Sequence, residues 1–135
     1  MKYSRLAFSA IVTILLILAS CGDKTSERFK LLTGHAWQSD SLLVDGMDAS
    51  GPGEMLEKFV GEAMFYEDGS GYFGQYTGGW YFSNNETDIT ITSDSLALPL
   101  TSNIDELTGE SFKISTRFTT AQSIVLDIRI TFKAK

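Results

Sequence analysis

From Ile124 to Phe132 the chain alternates strictly: Ile124, Leu126, Ile128, Ile130 and Phe132 fall on one side, and Val125, Asp127, Arg129, Thr131 and Lys133 on the other. A period of two sends successive side chains to opposite faces of an extended strand, whereas a helix would scatter the same residues around its circumference. The stretch therefore reads as a strand with one dry face and one mostly wet face. Phe112, Ile114, Thr116 and Phe118 repeat the pattern against Ser111, Lys113, Ser115 and Arg117. Ile89 and Ile91 sit between threonines in residues 87–92, and β-branched residues favour strands. The first long strand covers residues 36–44, where a ragged alternation predicts a bulge.

Turn chemistry divides these runs at short, even intervals. Asp68-Gly69-Ser70-Gly71 is expected to join residues 63–67 to residues 72–77, and Gly78-Gly79 to join that strand to residues 80–83. Ser83-Asn84-Asn85-Glu86 and Thr108-Gly109-Glu110 close two further hairpins. Hairpin-linked neighbours favour a small up-and-down antiparallel β-barrel of about eight strands, because closure removes exposed edges. One segment departs from this all-β pattern. Residues 54–60 place Met55, Leu56, Phe59 and Val60 at helical spacing after Gly51-Pro52-Gly53, which predicts one short helix over a barrel mouth.

The N-terminus is different in kind. Lys2 and Arg5 precede an apolar run over residues 6–19, broken only by Ser9 and Thr13, and the run ends in Leu18-Ala19-Ser20-Cys21. A basic start, a short apolar stretch and a small-residue exit form a secretory signal, and the run is shorter than the roughly 20 residues a spanning helix needs. The four exit residues resemble a bacterial lipobox. That resemblance implies cleavage before Cys21 and acylation of its thiol, which anchors the protein to a membrane and leaves no free cysteine, the chain having one. The expected organisation is a signal peptide over 1–20, a lipidated N-terminus and tether over 21–31, and a barrel domain over 32–135. Gly22, rather than Asp, follows the cysteine, which makes the outer membrane the expected destination.

Removing the signal with its two cations leaves nine Lys and Arg against 17 Asp and Glu. Such an acidic surface argues against a nucleic-acid partner, whose phosphates are met by Lys and Arg. Leu32-x-Gly34-x-x-Trp37, Phe65-x-x-Asp68-Gly69-Ser70-Gly71, Gly79-Trp80, Asp88-Ile89-Thr90-Ile91 and Ile104-x-Glu106-Leu107-Thr108 resemble the lipocalin-like domains of Bacteroidota lipoproteins. The resemblance spans nearly the whole chain after Cys21 and implies a barrel without an assigned activity.

Candidates for chemistry are few. His35 is the single histidine, and with Cys21 acylated no second soft ligand joins it, so neither a metal nor another cofactor is implied. It reads as a strand-start residue. Glu54, Glu57, Glu62, Glu67 and Asp68 cluster in sequence but lack the alternating ligands of a calcium loop. The aromatics carry the functional expectation. Tyr66, Tyr72, Phe73, Tyr76, Trp80, Tyr81 and Phe82 occupy adjacent strands, where alternation sends half inward and half outward. The expected protein is a non-catalytic envelope lipoprotein that binds a small apolar ligand in the cup or a protein partner on an aromatic face. Trp37, Tyr72, Tyr76 and Trp80 are its candidate contacts. The rival expectation is a hydrolase of envelope glycans or lipids using a carboxylate pair such as Glu62 and Glu67.

Overall fold

The computed structural model describes residues 25–135, so the stretch read as a signal peptide and Cys21 lie outside the described residues. Helix α1 (Glu27–Thr33) comes first. Ser26 caps it by accepting a hydrogen bond from the Phe29 amide through its hydroxyl, which satisfies one of the donors a helix start leaves open. Nine strands follow: β1 (Trp37–Val44), β2 (Met47–Asp48), β3 (Glu62–Phe65), β4 (Ser70–Phe73), β5 (Tyr76–Ser83), β6 (Asp88–Ser93), β7 (Leu100–Leu107), β8 (Ser111–Thr119) and β9 (Val125–Ala134). From β3 onward each strand pairs antiparallel with the next, and β9 returns to pair with β1, which closes an eight-stranded up-and-down barrel.

The first strand is shared three ways. One edge of β1 runs along β9 for its whole length, while the other meets β3 at Trp37 and Gln38 and β2 at Leu43 and Val44. Between those two contacts residues 49–61 cover the seam: the Ala49 amide donates to the Leu42 carbonyl, and Ser39 and Gly61 exchange bonds in both directions. The predicted bulge is present, with Asp40 as the extra residue between Ser39 and Ser41.

Two expectations are corrected. Gly78 and Gly79 form no turn; they lie inside β5, opposite Ser93 and Thr92, and the β4–β5 reversal uses Gly74-Gln75 with Gly74 at φ 63°. Residues 54–60 form no α-helix but turns and one 3₁₀ turn (Glu57–Phe59), from which Leu56 and Phe59 are buried while Met55 and Val60 stay exposed. The short helix of the fold is instead α1, which begins inside the stretch read as tether.

Helix α1 stops one end of the barrel. Leu32 is fully buried and its carbonyl accepts from the Trp37 indole at 3.0 Å, Phe29 meets the Trp80 ring at 5.6 Å, and Arg28 donates to the Glu86 carbonyl in the β5–β6 turn. Behind this stopper the inward rows interlock. Phe65 contacts Phe73, Trp80 and Phe112, and Phe112 stacks on Phe132, all with ring centres within 6 Å. Ile89, Ile91, Ile114, Ile128 and Ile130 complete the fill. The interior of the barrel is a packed core of side chains, as the width of an eight-stranded barrel permits.

Candidate functional site

With the interior occupied, the accessible chemistry lies on the outer face. Three of the four candidate contacts belong to the core. Trp37 is fully buried, Tyr76 packs on Phe59 with ring centres 4.7 Å apart, and Trp80 donates its indole N–H to the Tyr66 carbonyl at 2.9 Å. Both indole N–H groups are committed to backbone carbonyls, that of Trp37 to Leu32 and that of Trp80 to Tyr66. Only Tyr72 points outward, from the middle of β4.

Tyr72 heads a small surface cluster. Its hydroxyl donates to one oxygen of Glu62, and the Lys135 ammonium donates to the other. These bonds hold the Glu62 carboxyl below the usual carboxylate range, Lys135 contributing most and Tyr72 next. The same carboxylate favours the protonated phenol, and Tyr72 is pushed up to about 12. Tyr66 contacts the Tyr72 ring edge-on at 6.2 Å, and Tyr81 is exposed further along on β5. Among the described residues the outward tyrosines are Tyr66, Tyr72 and Tyr81, just past β3, on β4 and on β5.

The carboxylate pair proposed for hydrolysis is not brought together. Glu62 opens β3 and Glu67 lies in the turn beyond it, and at a rise of about 3.3 Å per residue the intervening strand separates them by on the order of 15 Å. That exceeds the roughly 5–10 Å over which two carboxylates flank a scissile glycosidic bond. Glu62 is also already bound to Tyr72 and Lys135. Asp68 accepts from the amide and hydroxyl of Ser70, which is turn chemistry and lowers its pKa. Among the described residues no group of three His, Cys, Asp or Glu side chains stands close enough to hold a metal ion. His35 lies before β1 against Trp37, ring centres 4.5 Å apart, with its buried Nε2 unpartnered among the described residues.

An open groove of about 1380 Å³ lies on the outside of the barrel, across β7, β8, β9 and β1. Its floor is the wet face of the terminal hairpin. Registered outward pairs run Ser111–Lys133, Lys113–Thr131, Ser115–Arg129 and Arg117–Asp127, so each rung carries one cation, alternately on β9 and β8. Carboxylates stand along the ladder: Asp40 meets Lys133 at 3.2 Å, Glu106 meets Lys113 at 3.4 Å, and Asp127 meets Arg129 at 3.4 Å. Asp105, the bulge residue of β7, accepts from the Ser115 hydroxyl. The aromatic-centred sequence reading passed over this face. Its signal was nevertheless present as a reversal of charge: residues 111–135 hold Lys113, Arg117, Arg129, Lys133 and Lys135 against the single acid Asp127, in a chain whose net charge is −6.

The barrel end opposite α1 has a different character. Met47, Met55, Val60, Leu98, Phe118, Ile124 and Val125, all exposed, belong to the loops and strand ends gathered there. The inward alternation of β8 and β9 therefore ceases to mean burial at the hairpin tip, where Phe118 and Ile124 project past the packed core. No protein-family model and no curated protein matches the chain.

Proposed function

We propose that this chain is a lipid-anchored, non-catalytic envelope protein of lipocalin-like type that binds a protein partner on the outside of its barrel. The observation that carries the reading is the filled interior: Trp37, Phe65, Phe73, Phe112 and Phe132 are each fully buried in the space that a hollow barrel offers a ligand. A small apolar molecule has to displace a close-packed aromatic core to enter, and core repacking of that size costs several kcal/mol. The outer groove is open without rearrangement. Anchoring follows from the lipobox-like Leu18-Ala19-Ser20-Cys21, with the outer membrane as destination because Gly22 follows the cysteine.

Titration of the purified full-length chain with a fluorescent polyene fatty acid tests the binding mode. The expected result is only weak, non-saturating fluorescence and no quenching of the tryptophans. Saturable, stoichiometric uptake with quenching of Trp80 would show a cavity that opens on demand and would overturn the outer-surface reading.

A further inference from the structure

Toward the barrel end away from α1 the ladder between β7 and β8 stops short of the strands themselves. Its registered pairs end at Asn103↔Ser115, yet β8 runs on to Thr119 and β7 starts back at Leu100. The Thr108 amide donates to the Ser111 carbonyl, so Ser111 turns its peptide groups toward β7, and alternation turns those of Arg117 and Thr119 the same way. Both residues lie beyond the last registered pair. Continued past Ser115, the register sets Pro99 beside Thr119, and proline has no N–H to donate there. On its other side β8 stays paired with β9 as far as Thr119↔Val125. The stretch from Thr116 to Thr119 is therefore a strand edge, the feature through which a sheet recruits a further strand. Its surroundings are uncharged and apolar. Residues 95–104 and 118–126 contain no Asp, Glu, Lys or Arg, and Leu98, Phe118, Ile124 and Val125 among them are exposed.

We infer that this edge of β8 pairs with the same edge of a second copy of the chain, antiparallel across a two-fold axis at Phe118. The edge is complementary to itself. A two-fold contact that lets the outward peptide groups meet has its axis at Arg117, Phe118 or Thr119. At Arg117 it sets two guanidinium groups directly opposite each other, which is repulsive. At Thr119 it carries the partners of Arg117 off the end of the strand and into the β8–β9 turn. At Phe118 it gives Arg117 of each copy a rung with Thr119 of the other, and both residues exchange N–H and C=O bonds there. The two Phe118 side chains then share a non-hydrogen-bonded rung, where side chains stand closest and aromatic pairs are favourable. Leu126, opposite Phe118 on β9, lies on the same face and continues the apolar row. In a chain of net charge −6, copies repel on most approaches, and the charge-free segments beside the edge give them one that does not. The contact uses the same patch on both chains, so it closes at two. A lipid surface covers Phe118 equally well but offers the peptide groups no ladder.

This inference names a partner within the outer-surface reading and rests on it. Disulfide trapping tests the register: the purified full-length chain in detergent is mildly oxidised with Phe118→Cys or Arg117→Cys in place, and the wild type, whose cysteine is Cys21, is the control. In the proposed register the two Phe118 positions face each other with Cα atoms about 4.5 Å apart, within disulfide reach. The two Arg117 positions are diagonal, about 7–8 Å apart, and outside it. Phe118→Cys is expected to yield about tenfold more of the cross-linked two-chain species than Arg117→Cys or the wild type, as that geometry requires. Sedimentation equilibrium supplies the second measurement. The unoxidised wild type should gain mass with concentration toward two chains and stop there. Phe118→Lys, which sets two ammonium groups opposite each other at an exposed position, should lose the two-chain species with its circular dichroism unchanged. Equal cross-linking from Arg117→Cys overturns the proposal, as does a single-chain mass at every concentration or undiminished association of Phe118→Lys. A mass that rises past two chains overturns it in favour of unspecific contact between apolar rims. A Phe118→Lys effect on binding to phosphatidylcholine vesicles, with none on mass, overturns it in favour of a lipid surface. Each of these results leaves the filled interior untouched, whereas fatty-acid uptake overturns the outer-surface reading itself.

Discussion

Glu62 is held between Lys135 and Tyr72, and the cluster has a pH limit on each side. Its carboxyl is depressed by the Lys135 ammonium and then by the Tyr72 hydroxyl, so the stability it contributes is present above the ordinary carboxylate range and is lost as pH falls through its folded value. Tyr72 is raised from 10.0 to about 12 by its bond to Glu62, so its contribution is present below 10.0 and lost as pH rises toward 12. The cluster is therefore intact across the neutral range and opens at both extremes. Phenolate absorbance should show a step near pH 12 that Tyr72→Phe removes and Glu62→Gln moves downward, with circular dichroism recorded alongside to establish that the chain is folded. Persistence of the step in Tyr72→Phe would show that another tyrosine carries it. None of this was legible in sequence, because Glu62, Tyr72 and Lys135 come from β3, β4 and the chain end. Trp37, by contrast, stands out from its sequence surroundings, and its buried indole donates to the Leu32 carbonyl.

At the scale of elements, the strands with one apolar row were legible and the glycines were ambiguous. Adjacent glycines signal a turn when nothing else is known. Gly78 and Gly79 instead serve a strand that a neighbour approaches too closely for a side chain: a Cβ on Gly78 falls 1.9 Å from the Thr92 carbonyl oxygen. Gly78→Ala should accordingly destabilise the protein by about 3 kcal/mol or more in urea unfolding. Gly109→Ala, where an added Cβ meets nothing within 4 Å, should change stability by no more than about 0.5 kcal/mol. Equal effects at the two positions would remove close approach as the reason for Gly78. The helix was misplaced for a related reason. Residues 54–60 have the amphipathic spacing, but Leu56 and Phe59 are used to seal the seam beside β1, and hydrogen bonds from Leu56 to the Ala49 carbonyl and from Gln75 to the Lys58 carbonyl bend the segment to that task.

On the scale of the whole molecule, the barrel is polar in the sense of having two unlike ends. Helix α1 covers one; exposed apolar side chains rim the other. On the proposed anchoring at Cys21, Cys21→Ser should shift the protein from the membrane pellet to the soluble or unprocessed fraction, since acyl chains would contribute about 0.8 kcal/mol per buried methylene. Retention of a fully processed Cys21→Ser chain on membranes would exclude the anchor.

The sequence by itself determined that the chain is built from antiparallel strands, where several of the reversals fall, and that the first strand bulges. These depend on neighbours one or two residues apart, and local periodicity records them. Only the tertiary structure decided that the barrel is full, that Trp37, Tyr76 and Trp80 belong to its core, and that four cations from two strands stand in one ladder. Those facts depend on which rows face inward together and on the register between strands, and period two states that a residue has a side without stating what lies across from it.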